Sequence, residues 1–198
     1  GPGATTALPD DLDLVVTSPG WRPDQPLLAA AAEAGVPVWG EVELAWRMRP
    51  ETGAAPWLTL TGTNGKTTCA YLVASALEAL GRSTGVIGTI ETRIGERRVR
   101  SVRTTPEAPD VHALLAVMAQ EGIADCVMEV SSHALTLHRV DGIVFDVAAF
   151  TNLQHDHLDY YGDMENYFQA KAQLFTPKRS RLGVVNVDDE YGRRLAKE

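Results

Sequence analysis

Apolar and polar positions along this chain follow two rhythms in turn. Short apolar runs recur, and most are separated by a longer segment whose apolar residues stand three and four apart. The runs at 13–17 and 36–39 read as strands. Between them a helix is expected over 25–34, stopped by Gly35, and another over 41–49. The pattern resumes at Trp57 with a strand that runs into LTLTGTNGKTT, residues 58–68. The helix after it is expected to bury Leu72, Val73, Ala76, Leu77 and Leu80 and to stop at Gly81. Further strands are expected over 84–92, 125–130, 145–150 and 182–187, with a hairpin turning at Gly95 within 93–100. A helix over 104–120 is expected to use threonine as its N-cap with Pro106 in its first turn, and another spans 164–175. Strands alternating with helices through short connections predict an α/β fold with a parallel sheet.

Two strands are too few for a free-standing domain, so residues 1–50 read as the later half of a Rossmann-like one. The segment PETGAAP at 50–56 is the linker, with residues 51–56 joining the two parts. A second domain fills 57–198 and is expected to hold an incomplete sheet with exposed apolar surface. Composition narrows the class. The chain has 198 residues, is 44% hydrophobic and 22% charged, and carries a net charge of −8. That balance suits a globular protein and argues against a nucleic-acid partner, which would want a basic face. No apolar run is long enough to span a membrane and no signal peptide opens the chain. Cys69 and Cys126 lie in apolar patterns without metal spacing and read as buried, reduced thiols of a cytoplasmic protein. A monomer is expected.

The run at 58–68 carries the most chemistry. A buried strand, a glycine turn and a helix start follow one another, and a turn of this kind offers backbone N–H groups to phosphate oxygens. Gly62, Thr63, Asn64, Gly65, Lys66, Thr67 and Thr68 are the expected ATP-binding residues. Lys66 supplies a charge for the β- and γ-phosphates, and Thr67 a hydroxyl for Mg2+. The full phosphate-loop pattern asks for a glycine where Leu60 stands, so the match is to its shorter core. A plain glycine turn with an exposed lysine is the alternative.

Ligands of open α/β sheets bind at the carboxyl ends of the strands. Four strand ends here are polar: the phosphate loop, Thr104 with Thr105, the stretch from Glu129 to His133, and the stretch from Thr151 to Asp159. Glu129 lies among Val127, Met128 and Val130, and a carboxylate buried there needs a cation. Mg2+ beside ATP would serve, and a structural salt bridge is the alternative. His157, beside Asp156, is a second candidate ligand, while His155 and Asp159 orient the loop or face solvent. Lys171 stands on an otherwise apolar and aromatic helix, where the default is a lysine whose head reaches water.

Several segments together carry a resemblance. They are TGTNGKTT (61–68), TTPEAP (104–109), MEVSSHAL (128–135), RVDG (139–142), FTNL (150–153), DHLDY (156–160) and AK (170–171). With them, residues 59–198 resemble the ATP-dependent Mur ligases of peptidoglycan synthesis, and within that family the tripeptide-synthetase branch (MurE). DLVVTSPG (13–20), PLLAAA (26–31) and GVPVWGEVEL (35–44) resemble the UDP-binding domain of the D-glutamate-adding branch (MurD). The chain therefore looks like a hybrid, with a recombinant chimera favoured over a divergent natural enzyme.

The resemblance implies a P-loop Mur ligase central domain with ATP on the loop and Mg2+ held by Thr67, Glu129 and His157. It places Lys171 at a position that is carbamylated in these ligases, where it too would bind metal. Lys66, Glu129, His157 and Lys171 are the implied catalytic residues. Thr104, Thr105, Ser132 and Arg139 match positions that bind the UDP-muramoyl-dipeptide, and Gly20 matches a UDP contact. The implied reaction adds meso-diaminopimelate or L-lysine to UDP-MurNAc-L-Ala-D-Glu through an acyl phosphate. A D-glutamate-adding ligase and a nucleotide-binding module without turnover are the competing readings.

Overall fold

The computed structural model describes residues 12–17, 25–40 and 56–197. They fall in two units, Gly1–Arg49 and Pro50–Glu198. In the first, β1 (Val15–Thr17) pairs in parallel with β2 (Val38–Gly40), with Val15 opposite Val38. The crossover is α1 (Pro26–Glu33), which has proline in its first turn, buries Leu28 and Ala31, and is followed by Gly35 at a φ of +69°. The helix expected over 41–49, the linker over 51–55 and Gly20 lie outside the described residues.

The second unit is built on β3 (Trp57–Thr61), whose last three residues are buried. Next comes α2 (Lys66–Ala79), and Gly81 follows it at a φ of +77°. The strand expected over 84–92 is two strands. β4 (Thr84–Ile87) is fully buried; the chain turns through 88–90 and returns antiparallel as β5 (Glu91–Ile94). A second antiparallel turn at Gly95 leads to β6 (Arg97–Arg100), whose four residues are all exposed. Gly88 is the turn signal at this break, in the middle of the segment expected as one strand.

Helix α3 (Ala108–Gln120) starts later than expected. Glu107 is its N-cap residue and Pro109 its early proline, so neither threonine caps it. After α3 come β7 (Asp125–Glu129), the short α4 (Ser132–Thr136), β8 (Phe145–Phe150), the short α5 (Leu158–Tyr161) and α6 (Met164–Ala172). A 3-10 turn (Gln173–Phe175) ends α6, and β9 (Ser180–Val185) and α7 (Glu190–Leu195) follow.

The seven strands form one sheet in the order β6-β5-β4-β7-β3-β8-β9, parallel from β4 to β9. Because β3 lies between β7 and β8, the ends of three neighbouring strands deliver the phosphate loop, Glu129 and Thr151 to one edge. The buried face of α2 is not the one expected. Ala70 and Ala74 are sealed against Leu60, Val86 and Val127, with Cys69, Val73 and Leu77 packed beside them. Leu72 and Leu80 are 65% and 77% exposed, so the stripe is turned by about one residue from the expected one. Small residues there let the helix lie close to the sheet. Cys69 is half-buried, whereas Cys126 is buried and its thiol is pushed up to about 12, mainly by desolvation. Apolar residues are exposed on and after β9, at Leu182, Val184 and Val187. No helix among the described residues is long and apolar enough to cross a membrane.

Candidate nucleotide and cation site

The phosphate loop is shaped from behind by the end of β8. Gly62 has a φ of +148°, and a Cβ on it would lie 2.0 Å from Thr151 Oγ1 and 3.0 Å from the Asn152 backbone. Thr63 N–H donates to the Asn152 carbonyl at 2.9 Å and Asn64 N–H to Asn152 Oδ1 at 3.0 Å. Thr151 Oγ1 donates to the Asn64 carbonyl at 2.6 Å, and Gln154 N–H to Thr63 Oγ1 at 2.9 Å. Two of the N–H groups expected to meet phosphate are thus engaged by the protein. The loop's free donors are those of the first turn of α2. That helix starts from Gly65 in the left-handed region, has no side-chain cap, and makes its first i→i−4 bond only at Cys69. Oriented N–H groups at the positive end of a 14-residue helix suit an anion.

Two lysines reach the same oxygen beside this turn. Lys66 Nζ donates to the Gly62 carbonyl at 2.9 Å and to the Thr63 carbonyl at 3.0 Å. Lys171 Nζ donates to the Gly62 carbonyl at 2.9 Å from the last turn of α6. Lys171 does not reach water: it is 1% exposed, with its ammonium 4.8 Å from the Tyr167 ring centroid. Burial, and then the charge of Lys66, push its pKa down to about 7, against the pull of Asp156. Lys66 is also held below the usual lysine range by burial, with Glu129 and then Asp156 opposing.

Across the loop, Glu129 is 1% exposed and fully engaged. Its Oε1 accepts from Thr89 N–H at 2.8 Å, and its Oε2 accepts from Thr67 Oγ1 at 2.9 Å and from Thr89 Oγ1 at 3.0 Å. Among the described residues it has no salt bridge, so the structural ion pair is not the reason for its burial. A hydroxyl oxygen and a carboxylate side by side are hard donors of the kind Mg2+ takes together with phosphate oxygens. Thr67 and Glu129 therefore fit the cation. Among the described residues no group of three or more His, Cys, Asp and Glu side chains gathers as a metal site.

His157 lies on the Lys171 side. It holds a left-handed backbone, φ +54°, which is rare for a non-glycine residue and marks a constrained position. Its ring packs edge-on to His133 at 4.9 Å and to Tyr167 at 5.8 Å between centroids, and its Nε2 is 3.6 Å from Asp156 Oδ2. His133 also meets Tyr160, and burial followed by its cationic neighbours lowers its pKa. Thr68 is exposed on the first turn of α2.

The remaining expected residues gather between β7 and α3. Thr105 is buried, donating to the Glu129 carbonyl at 2.9 Å and accepting from Ser131 N–H at 3.1 Å. Arg139 donates to the Thr105 carbonyl at 3.2 Å and pairs with Glu107 at 3.0 Å. Ser132 is buried, while its half-buried neighbour Ser131 caps α4. Thr104 is half-buried, 3.0 Å from Thr89 Oγ1. Sequence reasoning missed Gly88, Thr89, Asn152 and Tyr167. Gly88-Thr89 at a strand end was the available signal, hidden inside what read as one continuous strand.

Comparison with known proteins now adds to this geometry. The family model of the Mur ligase middle domain matches residues 60–198. The chain belongs to the Mur ligase family. A Streptomyces coelicolor relative named UDP-N-acetylmuramoyl-L-alanyl-D-glutamate--2,6-diaminopimelate ligase is 66% identical over 139 residues, covering 70% of this chain and 27% of the relative. A Leifsonia xyli subsp. xyli relative named UDP-N-acetylmuramyl-tripeptide synthetase is 48% identical over 198 residues, covering 100% of this chain and 35% of the relative. A solved structure of a UDP-N-acetylmuramoyl-L-alanyl-D-glutamate--2,6-diaminopimelate ligase superposes with a TM-score of 0.64 at 26% identity, covering 93% of this chain and 42% of that one. E. coli FolC, solved with DHPP and ADP, shares the fold with a TM-score of 0.55 at 21% identity, over 79% of this chain and 43% of its own. The chain spans about a third or less of the curated Mur ligase relatives it matches. One natural relative aligns along the whole chain, so the hybrid of two ligases finds no support: both parts have counterparts in a single protein.

Proposed function

We propose that this chain carries the nucleotide- and cation-binding core of a ligase that joins an amino acid to UDP-MurNAc-L-Ala-D-Glu at the expense of ATP. The observation that carries this is the convergence at one sheet edge of an uncapped helix start, two lysines on the Gly62 carbonyl, and the Thr67–Glu129 pair. The name of the Streptomyces coelicolor relative favours diaminopimelate over L-lysine as the amino acid.

In this reading the first turn of α2 and Lys66 bind the ATP phosphates. Thr67 and Glu129 would hold Mg2+, with His157 as a further ligand. The cation offsets charge that develops on the phosphoryl oxygens. The substrate carboxylate attacks the γ-phosphorus, ADP leaves, and the acyl phosphate is then attacked at carbon by the incoming amine, releasing phosphate. Lys171 suits carbamylation, because a lysine titrating near 7 presents a neutral amine to carbon dioxide. The nitrogen attacks the carbon, a proton leaves, and a buried cation becomes a carboxylate able to bind metal. Thr104 is the substrate residue with an accessible hydroxyl, while Thr105, Ser132 and Arg139 hold the loops around it. Gly20 contributes to the uridine side.

The test is phosphate release from ATP with UDP-MurNAc-L-Ala-D-Glu and meso-diaminopimelate, L-lysine, D-glutamate or no amino acid. Titration calorimetry with Mg-ATP runs alongside. Release that needs the dipeptide substrate and meso-diaminopimelate is expected. Saturable ATP binding without release under any condition would leave a nucleotide-binding module and overturn the ligase reading.

A further inference from the structure

Glu129 owes two of its three hydrogen bonds to one residue that no motif singles out. Thr89 donates its backbone N–H to Oε1 at 2.8 Å and places its hydroxyl 3.0 Å from Oε2. This grip depends on the turn between β4 and β5. A Cβ on Gly88 would stand 2.4 Å from Glu129 Oε1, so a side chain there would displace the carboxylate from this grip. Thr89 is exposed, unlike the carboxylate it holds, so its hydroxyl lies at the open side of the site. The same hydroxyl is 3.0 Å from Thr104 Oγ1. It carries a single hydrogen and has two acceptors at equal distance.

We propose that Thr89 is a positioning residue that orients the Glu129 carboxylate for the divalent cation and, by sharing one hydroxyl hydrogen with Thr104, makes the state of Thr104 felt at the cation. The proposal rests on the reading of Thr67 and Glu129 as cation ligands. When the hydrogen goes to Glu129, Oε2 is held by two hydroxyls. When Thr104 takes it, Oε2 keeps only the Thr67 donor and the carboxylate is held less firmly for a cation. A ligand that accepts from Thr104 favours the second arrangement, because the Thr104 oxygen is then left to accept from Thr89. Anion binding beside Thr104 and cation binding at Glu129 thereby become coupled without movement of either backbone.

The experiment measures ATP affinity by calorimetry in EDTA and in excess Mg2+, and takes the ratio as the cation's contribution. The chains are the parent, Thr89→Val, Thr89→Ser, Thr104→Val and the Thr89→Val/Thr104→Val pair, each checked for folding by thermal melting. ATP affinity in EDTA is expected to be alike in all five. The Mg2+ enhancement is expected to fall about tenfold in Thr89→Val, the usual scale for losing an outer partner of a metal ligand, and to return in Thr89→Ser. Thr104→Val is expected to change the enhancement in the parent and to leave it unchanged in the Thr89→Val background, since the coupling runs through that hydroxyl. An undiminished enhancement in Thr89→Val, or an equal effect of Thr104→Val in both backgrounds, would overturn the proposal. ATP bound equally well with and without Mg2+ by the parent would overturn the cation reading and this proposal with it. No ATP binding in either condition would remove the phosphate site itself.

Discussion

The two ends of helices that bring lysines to the Gly62 carbonyl make an instructive pair. Lys66 opens α2, where the helix dipole opposes a cation, yet it stands near Glu129 and Asp156 and is only half-buried. Lys171 closes α6, where the dipole favours a cation, yet it is sealed behind Tyr167 and titrates near 7. Burial therefore outweighs the dipole at Lys171, while at Lys66 burial still lowers the pKa but is opposed by Glu129 and Asp156. The same side chain on the same acceptor serves as a retained cation in one place and a poised amine in the other. The largest test removes what they share. Gly62→Ala puts a methyl group 2.0 Å from Thr151 Oγ1 and forces a positive φ on alanine, displacing the carbonyl that both lysines use. We expect a loss of about 3 kcal/mol in unfolding free energy, read from the denaturant midpoint, together with loss of ATP binding. A variant of parent stability would mean the loop is not clamped by β8.

Lys66→Ala separates the two lysines by function. It removes a charged donor from the phosphate site and leaves a half-buried position that tolerates a small side chain. ATP affinity should fall roughly 10- to 100-fold by calorimetry, with the melting temperature little changed. An affinity unchanged by the substitution would place the phosphates elsewhere.

Lys171→Met tests the poised amine through pH. At pH 6 the parent lysine is protonated in both folded and unfolded chains, so the full cost of burying its charge is present. Between about 7 and the ordinary lysine value the unfolded chain holds the proton and the folded chain does not. Parent stability must therefore rise with pH relative to the Met variant, by at most about 1.4 kcal/mol per pH unit. Denaturant unfolding of both chains from pH 6 to 9 in bicarbonate-free buffer measures this. A gap that stays flat would mean that Lys171 titrates as an exposed lysine.

How much of this was legible beforehand follows the range of the forces involved. The phosphate loop, β3 and β8 were readable because local glycines and apolar runs dictate them, and β8 has the expected bounds. Glu129 was readable as a buried carboxylate because its strand neighbours are apolar. Its partner Thr89 was not, because it comes from a turn within residues 84–92, which were expected as a single strand. The burial of Lys171 was also hidden. It is set by contact with a carbonyl 109 residues away and by the packing of Tyr167 and Phe168 with Phe150 and Leu153, none of which spacing along α6 can report. The shift in the face of α2 has the same origin. The sheet selected the small Ala70 and Ala74 for close approach and left Leu72 outside.

The finest test uses Asp156, whose charge acts on both lysines. Asp156 opposes the lowering of both pKa values, but at Lys66 it ranks behind Glu129, whereas at Lys171 no other opposing group stands beside it. Asp156→Asn should therefore lower both lysine pKa values further, followed by carbon-13 NMR of the lysine Cε signals. Asp156 is 48% exposed, so the shift should shrink further as salt is raised. Lysine signals that titrate unchanged in the variant would mean that Asp156 is not what opposes burial at either site. The contrast between the two helix ends would then rest on burial and on Glu129, which acts on Lys66.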